Sequence, residues 1–150
     1  MRNSVTMQRT ASATLGVGYC LTAAATPRRF KLYELICGSE ATPADNAFLW
    51  QVNRVSTIAA GAGAAANVVP LDFSDTVTSS LVVAQAITTN PTQAAIVLTI
   101  PLNQRATFRW VAAPGSELVS SNAVSNGYSL MTPTAGGLVA VSATILVDEQ

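Results

Sequence analysis

Apolar and polar residues alternate along several segments of the chain, and the clearest is 104–112, with the sequence QRATFRWVA. One face of an extended chain would carry Ala106, Phe108, Trp110 and Ala112, and the other Arg105, Thr107, Arg109 and Val111. A period of two is typical of a half-buried β-strand. Pro101 before the segment and Pro114-Gly115 after it mark its ends, because proline cannot donate to a strand ladder. The pattern therefore predicts a β-strand over 104–112.

Other segments show the same period. Residues 28–37 place Phe30, Leu32 and Ile36 on one side and Tyr33, Leu35 and Cys37 on the other, which suits a strand that is buried on both faces. Segment 47–56 sets aromatic residues against polar ones, and 76–86, 94–100 and 138–147 are rich in β-branched residues. Turn signals separate these runs. Roughly eight or nine short strands predict an all-β fold, an antiparallel β-sandwich or jelly-roll-like single domain.

The first 27 residues lack a sustained period and are rich in Ser, Thr and Ala. Chain ends of this composition are commonly disordered unless something holds them. We therefore expect residues 1–27 to form an extended N-terminal arm that contacts a neighbouring subunit, and residues 28–150 to form the β-sandwich domain. Gly16 and Gly18 interrupt the uncharged run after Arg9, so it is a poor match to a signal peptide.

The chain is poor in charge. Only 11% of its residues are charged, against about a quarter in an ordinary soluble domain, whereas 49% are hydrophobic. A free monomer normally covers itself in charged side chains. A surface this neutral predicts that other protein covers much of it.

Neither nucleic acid nor a membrane is an expected partner. The formal net charge is zero and the isoelectric point is 6.1, whereas nucleic-acid binders concentrate basic residues on one face. Only the run Arg28-Arg29-Phe30-Lys31 forms a small basic patch. The long uncharged spans, 76–104 and 118–147, contain too many polar residues, prolines and glycines for a membrane helix.

The sequence provides little material for catalysis. It contains no histidine, which excludes a Ser-His-Asp triad, a Cys-His pair and any histidine metal site. Asp72 and Asp75 are the nearest approach to paired carboxylates, but they lack the pattern of a calcium loop and are typical of turn chemistry. Gly61 and Gly63 lack the rest of a phosphate-binding motif. We predict no catalytic, cofactor-binding or metal residues and no enzyme activity, although carboxylate-only catalysis stays open.

Cysteines and aromatic residues each have a structural and a functional interpretation. Cys20 and Cys37 are too few for a disulfide scaffold or a zinc site, so free buried thiols are favoured, with their pairing left open. Phe48, Trp50, Phe108 and Trp110 are expected to form core contacts between two strands across a sandwich. The alternative is an exposed carbohydrate platform.

Three segments resemble a known family: 41–54 (ATPADNAFLWQVNR), 100–115 (IPLNQRATFRWVAAPG) and 132–141 (TPTAGGLVAV). They are similar to decoration, or cement, proteins of tailed-bacteriophage capsids, and the likeness runs from about Phe30 to the C-terminus. It implies a β-sandwich or jelly-roll subunit that forms a homotrimer, binds between major capsid proteins and stabilises the phage head. It also implies a location on the exterior of the virion capsid after synthesis in the bacterial host cytoplasm. No functional residue carries over, because such proteins act through surfaces.

Other functions stay open at this point. One is a receptor- or glycan-binding module of a head fibre or tail, which would require an exposed Trp50 or Trp110. Another is a different capsid subunit or a head–tail connector subunit. A small hydrolase is the weakest alternative, given the absence of histidine.

Overall fold

The computed structural model describes residues 1–23, 25–57, 63–133 and 139–150, except for the side chain of Thr57. In these residues there are twelve β-strands and no helix. The strands are β1 (Arg2–Thr10), β2 (Gly18–Leu21), β3 (Phe30–Ala41), β4 (Ala47–Thr57), β5 (Ala64–Ala65), β6 (Val68–Pro70), β7 (Val82–Gln85), β8 (Thr92–Asn103), β9 (Phe108–Val111), β10 (Leu118–Val119), β11 (Gly127–Met131) and β12 (Ala140–Glu149).

The strands form two six-stranded sheets. The first sheet has the order β10-β3-β12-β1-β6, with β9 beside β10 on the same edge of β3, and the second has the order β5-β7-β2-β11-β4-β8. Every strand pair is antiparallel. One hydrophobic core joins side chains from both sheets. The predicted all-β, antiparallel sandwich is therefore confirmed, while its jelly-roll connectivity stays a prediction.

The predicted N-terminal arm is wrong, because β1 is an interior strand of the first sheet. It lies between β12 and β6, and its nine residues pair with β12 over their whole length, from Arg2 opposite Asp148 to Thr10 opposite Ala140. Val5 and Met7 are fully buried. The sandwich therefore begins at Arg2 and not at residue 28, and the first strand gains its stability from pairing on both sides.

The second half of the predicted arm is also part of the sandwich. All four residues of β2 are buried between β7 and β11. A Cβ atom added to Gly18 would lie 2.5 Å from Met7 Sδ and 2.6 Å from the carbonyl oxygen of Ala84. Since real Cβ atoms do not approach other atoms so closely, glycine is required where β1 crosses β2.

A β-bulge explains why both faces of segment 28–37 are apolar. Leu146 pairs with Glu34, but the next residue, Val147, pairs with Leu32, so Tyr33 is an extra residue on β3. Phe30 and Leu32 are buried before the bulge, and Leu35 and Cys37 are buried after it. The bulge therefore shifts the inner face by one residue, and a single strand contributes both of its apolar sets to one core.

Other predicted strand bounds also change. The predicted strand over 104–112 is wrong at its start, because Asn103 ends β8 and its side-chain oxygen accepts a hydrogen bond from the Arg105 amide (2.9 Å) in a turn. Regular pairing resumes only at Phe108. Within the predicted strand 76–86, regular structure begins at Val82. In the last predicted strand Leu138 lies outside the described residues, and β12 continues to Glu149.

Aromatic contacts fix how the two sheets face each other. Phe30 of the first sheet meets Tyr128 of the second edge to face, with ring centroids 6.1 Å apart. The Tyr128 hydroxyl donates to the carbonyl oxygen of Val119 on β10 (2.8 Å), again between the sheets. This pairing satisfies the polar end of a ring that is otherwise buried.

The sheet edges differ in length. Three edges consist of strands of two to four residues, but β8, at the fourth, has twelve residues without a charged side chain. Exposed edges of this kind promote aggregation unless something disrupts them. Here Ala94 and Val97 are bulged residues opposite β4, and Pro101 has no amide hydrogen to offer. The bulges and the proline therefore protect this edge against aggregation, in place of charged side chains.

We expect Met7→Ala to lower the free energy of unfolding by about 2–5 kcal/mol, because it opens a cavity between β1 and β2. Gln8→Ala, on the exposed face of the same strand, should change it by less than about 0.5 kcal/mol. Urea denaturation of both variants checks the difference. Equal free energies of unfolding for the two variants would contradict this position of β1 and support a detachable arm.

Candidate interaction surface

Asp72 and Asp75, the nearest approach to paired carboxylates in the sequence, lie together in one turn. Asp72 Oδ1 accepts a hydrogen bond from the amide of Ser74 (2.9 Å), and Asp75 Oδ1 accepts one from the amide of Val77 (3.1 Å). The amide of Asp75 donates to the carbonyl oxygen of Asp72 (3.0 Å). Both side chains thus bond to backbone amides two residues ahead, as the turn interpretation predicts.

The two cysteines are free and buried, which confirms the favoured interpretation. Cys20 lies on β2 and Cys37 on β3. Burial, with a smaller contribution from the Glu149 carboxylate, raises the pKa of the Cys20 thiol, and burial raises that of Cys37 to about 12. Both side chains are therefore protonated thiols at neutral pH, a form with little nucleophilicity.

The four aromatic residues divide between core and edge. Phe48 and Trp50 are buried on β4 and contact each other edge to face, as predicted for core residues. Trp110 is half-buried against the core from the edge strand β9, and Phe108 is 37% exposed. The core prediction is therefore confirmed for Phe48 and Trp50 and is wrong for Phe108.

The described ranges contain neither a metal-binding cluster nor a membrane-spanning helix. No group of three or more acidic or cysteine side chains there is arranged to hold a metal ion. Those ranges also contain no helix with the length and hydrophobicity needed to cross a bilayer. Gly61, one of the two glycines of the weak phosphate-loop pattern, lies outside them.

The outer face of the first sheet, which points away from the core, carries exposed apolar side chains. Val69 on β6 lies opposite Ser4, and Val111 on β9 lies opposite Glu34; they are 55% and 53% exposed. Leu71 continues from β6, and its amide donates to the carbonyl oxygen of Arg2 (2.9 Å). Val69 and Leu71 thus lie at the β6 edge of the sheet, and Val111 lies at the opposite edge, beyond β1, β12 and β3.

A groove of about 330 Å³ opens on this outer face. Its uncharged side chains come from Tyr33 on β3, Val111 on β9, and Ala112 and Pro114 just after β9. The amide of Ala112 donates to the carbonyl oxygen of Tyr33 (2.9 Å), which holds the chain after β9 against β3. The groove therefore has a fixed apolar floor.

Charged side chains alternate around the groove. Strand register places Lys31, Asp148 and Arg2 side by side on β3, β12 and β1. The Asp148 carboxylate also lies 3.4 Å from the Met1 amine. Glu117 completes the lining, and hydrogen bonds from its own amide and that of Gly115 lower the pKa of its carboxyl. The groove thus offers two cations beside two already engaged carboxylates.

Next to this groove, the apolar turn (residues 71–75) presents Phe73, whose side chain is fully exposed. The segment that follows is anchored by the buried Glu149 carboxylate, which accepts hydrogen bonds from Ser79 Oγ (2.9 Å), the Ser80 amide (3.0 Å) and Ser80 Oγ. The Leu71 amide bond to Arg2 holds the start of the turn, the hydrogen bonds of Asp72 and Asp75 shape it, and the Glu149 contacts hold the chain after it. Arg2 lines both the groove and the hollow beside the turn, so the two features adjoin.

Sequence reasoning missed most of this surface. Val69, Leu71 and Phe73 alternate in the sequence as in a short strand or an anchored loop, and that pattern does not predict the exposure of Phe73. Lys31 was assigned to a basic patch with Arg28 and Arg29, yet its cross-strand neighbour is Asp148. Pairing between the ends of the chain leaves no local trace in sequence.

Two of the three segments with family resemblance form one corner of the sandwich. Ala47 pairs with Asn103, the side chain of Asn103 donates to Asp45 (2.6 Å), and Gln104 accepts a hydrogen bond from the Ala44 amide (2.9 Å). Their residues are thus packing and turn residues, and part of the third segment, 134–138, lies outside the described residues. Comparison of the chain with protein-family models, curated proteins and solved structures found no match.

We expect the buried thiols to make the protein less stable in alkali. Above about pH 8.5 the unfolded thiols ionise while the folded ones stay protonated, so the unfolded state binds fewer protons. The free energy of unfolding should then fall with rising pH, by up to about 1.4 kcal/mol per pH unit for each thiol. Urea denaturation at pH 7.5 and 9.5 checks this. A Cys20→Ala, Cys37→Ala double variant with the same pH dependence would contradict it.

Proposed function

We propose that this chain is a virion structural protein, a capsid decoration protein that binds between major capsid proteins and stabilises the head of a tailed bacteriophage. It acts on the exterior of the capsid, as an oligomer of identical chains, and the family resemblance implies a trimer. It is not an enzyme and needs no cofactor.

The observation that carries this proposal is the agreement between resemblance and fold. The resemblance of segments 41–54 and 100–115 implies an antiparallel β-sandwich, and the chain has that architecture. Many unrelated proteins share sandwiches, so the fold supports the family without specifying the role. The role is supported by the resemblance together with the character of the surface.

The surface suits a protein that is covered by other protein. The centre of the outer face of the first sheet is neutral: Thr6 and Thr144 form a cross-strand hydroxyl pair (3.2 Å), and Ser4 and Ser142 lie near them. Exposed apolar side chains and a groove border this neutral area. Such a face can be buried without desolvating many charges, which keeps the cost of association low.

The main alternative is a receptor- or glycan-binding module of a head fibre or tail. Burial of Trp50 counts against it, because a carbohydrate platform requires exposed aromatic faces. The partly exposed pair Phe108 and Trp110 on β9 is the observation that favours it. Another capsid or connector subunit is a further alternative, which copy number per virion separates.

We expect the purified protein to be a stable oligomer by light scattering and to saturate capsids assembled without it, at a copy number close to that of the shell subunits. Saturated capsids should resist heat or low salt better than bare ones, because one oligomer contacts several shell subunits at once. Binding titrations against bare capsids, followed by thermal release of the packaged genome, measure both effects.

A purified protein that is monomeric and does not bind the capsid would overturn the proposal. Glycan-array binding that is lost in a Trp110→Ala variant, with Trp50→Phe as a buried aromatic control, would then support the receptor-binding alternative. Saturation at only a few copies per virion would instead indicate a connector or fibre position.

A further inference from the structure

We infer that the apolar turn (residues 71–75) of one chain inserts Phe73 into the outer-face groove of a second copy of the same chain. This inference rests on the proposed function, because it specifies the contact that holds the proposed oligomer of identical chains together. It identifies which surface holds the copies together, and it does not depend on what the assembled oligomer binds.

Phe73 is presented as a preorganised anchor. The side chain makes no contact that would shield it within its own chain, since it is fully exposed. The hydrogen bonds of Asp72 and Asp75, and those of Ser79 and Ser80 to Glu149, hold the backbone on both sides of it. A rigid aromatic anchor loses little conformational entropy on binding and is a common binding hot spot.

The groove matches this anchor in size and in chemistry. A volume of about 330 Å³ with Tyr33, Val111 and Pro114 along it accepts one aromatic side chain. Burial of a phenylalanine removes about 150–250 Å² of apolar surface from water. The exposed Val111 is covered by the same event.

Charges around the two features are complementary. Asp72 and Asp75 flank Phe73 in the turn, and no salt bridge engages either of them among the described residues. Lys31 and Arg2 line the groove, where Asp148 already faces the Met1 amine. An inserted turn therefore brings two carboxylates to a lining in which Lys31 and Arg2 alternate with Asp148 and Glu117, and attraction to these two cations orients Phe73 as it enters.

The positions of turn and groove favour a second copy over an unrelated partner. Both lie at one end of the outer face, and Arg2 lines the hollows of both. Adjacent complementary features allow two copies to exchange turns about a two-fold axis, or several copies to link turn to groove in a closed ring. Leu71 and Val69, which precede Phe73 in the chain, are also exposed and available to such a contact.

Two variants disable opposite sides of the contact. Phe73→Ser removes the anchor, and Val111→Glu places a carboxylate in the groove, where it repels Asp72 and Asp75. Each should weaken self-association by roughly 30-fold or more, as measured by sedimentation equilibrium. Ile96→Ser is the matched control, since Ile96 is 57% exposed on the opposite sheet and should leave association unchanged.

Mixing the two disabled proteins tests the contact directly. A Phe73→Ser chain keeps an intact groove, and a Val111→Glu chain keeps an intact turn, so a mixed pair restores one turn–groove contact. Association in the mixture should therefore be tighter than in either variant alone. Thermal unfolding of each variant, at the concentration where it is monomeric, verifies that the fold is retained.

Substitution by asparagine separates the charges from the turn geometry. Asp72→Asn with Asp75→Asn keeps both side-chain oxygens as hydrogen-bond acceptors but removes two negative charges. Self-association of the unmodified protein should weaken with added salt, and this double variant should show a shallower salt dependence. Equal salt dependence would contradict the proposed contact with Lys31 and Arg2.

The possible outcomes are distinct. A wild-type chain that is monomeric at every concentration overturns self-association and this contact together. An oligomer that is unaffected by Phe73→Ser overturns the contact but leaves the proposed function in place. A Phe73→Ser protein that keeps its mass but no longer saturates capsids assigns the turn to the shell and also overturns it.

Discussion

Pairing between the first and last strands is the constraint on which the other features of this protein depend. β1 and β12 form the middle of the first sheet, with β3 on one side and β6 on the other. Because these contacts join residues that are 130 or more positions apart, the sheet cannot form until both chain ends meet. The same pairing sets Arg2 beside Asp148 and brings Glu149 inward to anchor the segment after Phe73. The pairing of β1 with β12 therefore supports both the core and the position of the exposed groove and turn.

The two sheets protect their edges without charged side chains, and this shapes the surface of the protein. The long edge strand β8 is disrupted by bulges and Pro101, and three edges consist of very short strands, so protection of the edges against pairing with other chains does not depend on charge. Four charged side chains line the groove, and two more, Asp72 and Asp75, belong to the apolar turn. A neutral Ser/Thr surface with one charged, apolar end suits a subunit whose role is to bind other protein surfaces.

Sequence pattern predicted those elements whose side chains alternate without interruption. Segment 47–56 was recognised because Phe48, Trp50 and Val52 are all buried on one face of β4. β1 was missed because its inner face includes Asn3, a buried polar residue, which leaves only Val5 and Met7 as apolar signal. Because of the bulge at Tyr33, the buried residues of β3 lie at even positions before it and at odd positions after it. In the sequence this one core face therefore resembles two apolar faces. Phe73 was hidden for the opposite reason: sequence favours burial of an aromatic residue, and only tertiary structure reveals its exposure.

Native-state hydrogen exchange of the β1 amides tests this account most directly. The amides of Asn3, Ser4 and Val5 lie between two partner strands, so they should exchange only through global unfolding, with the same free energy as Ile145 in β12. Exchange of these three amides much faster than that of Ile145 would contradict the account. It would make the N-terminal segment a detachable arm and leave the groove and the apolar turn without a fixed position.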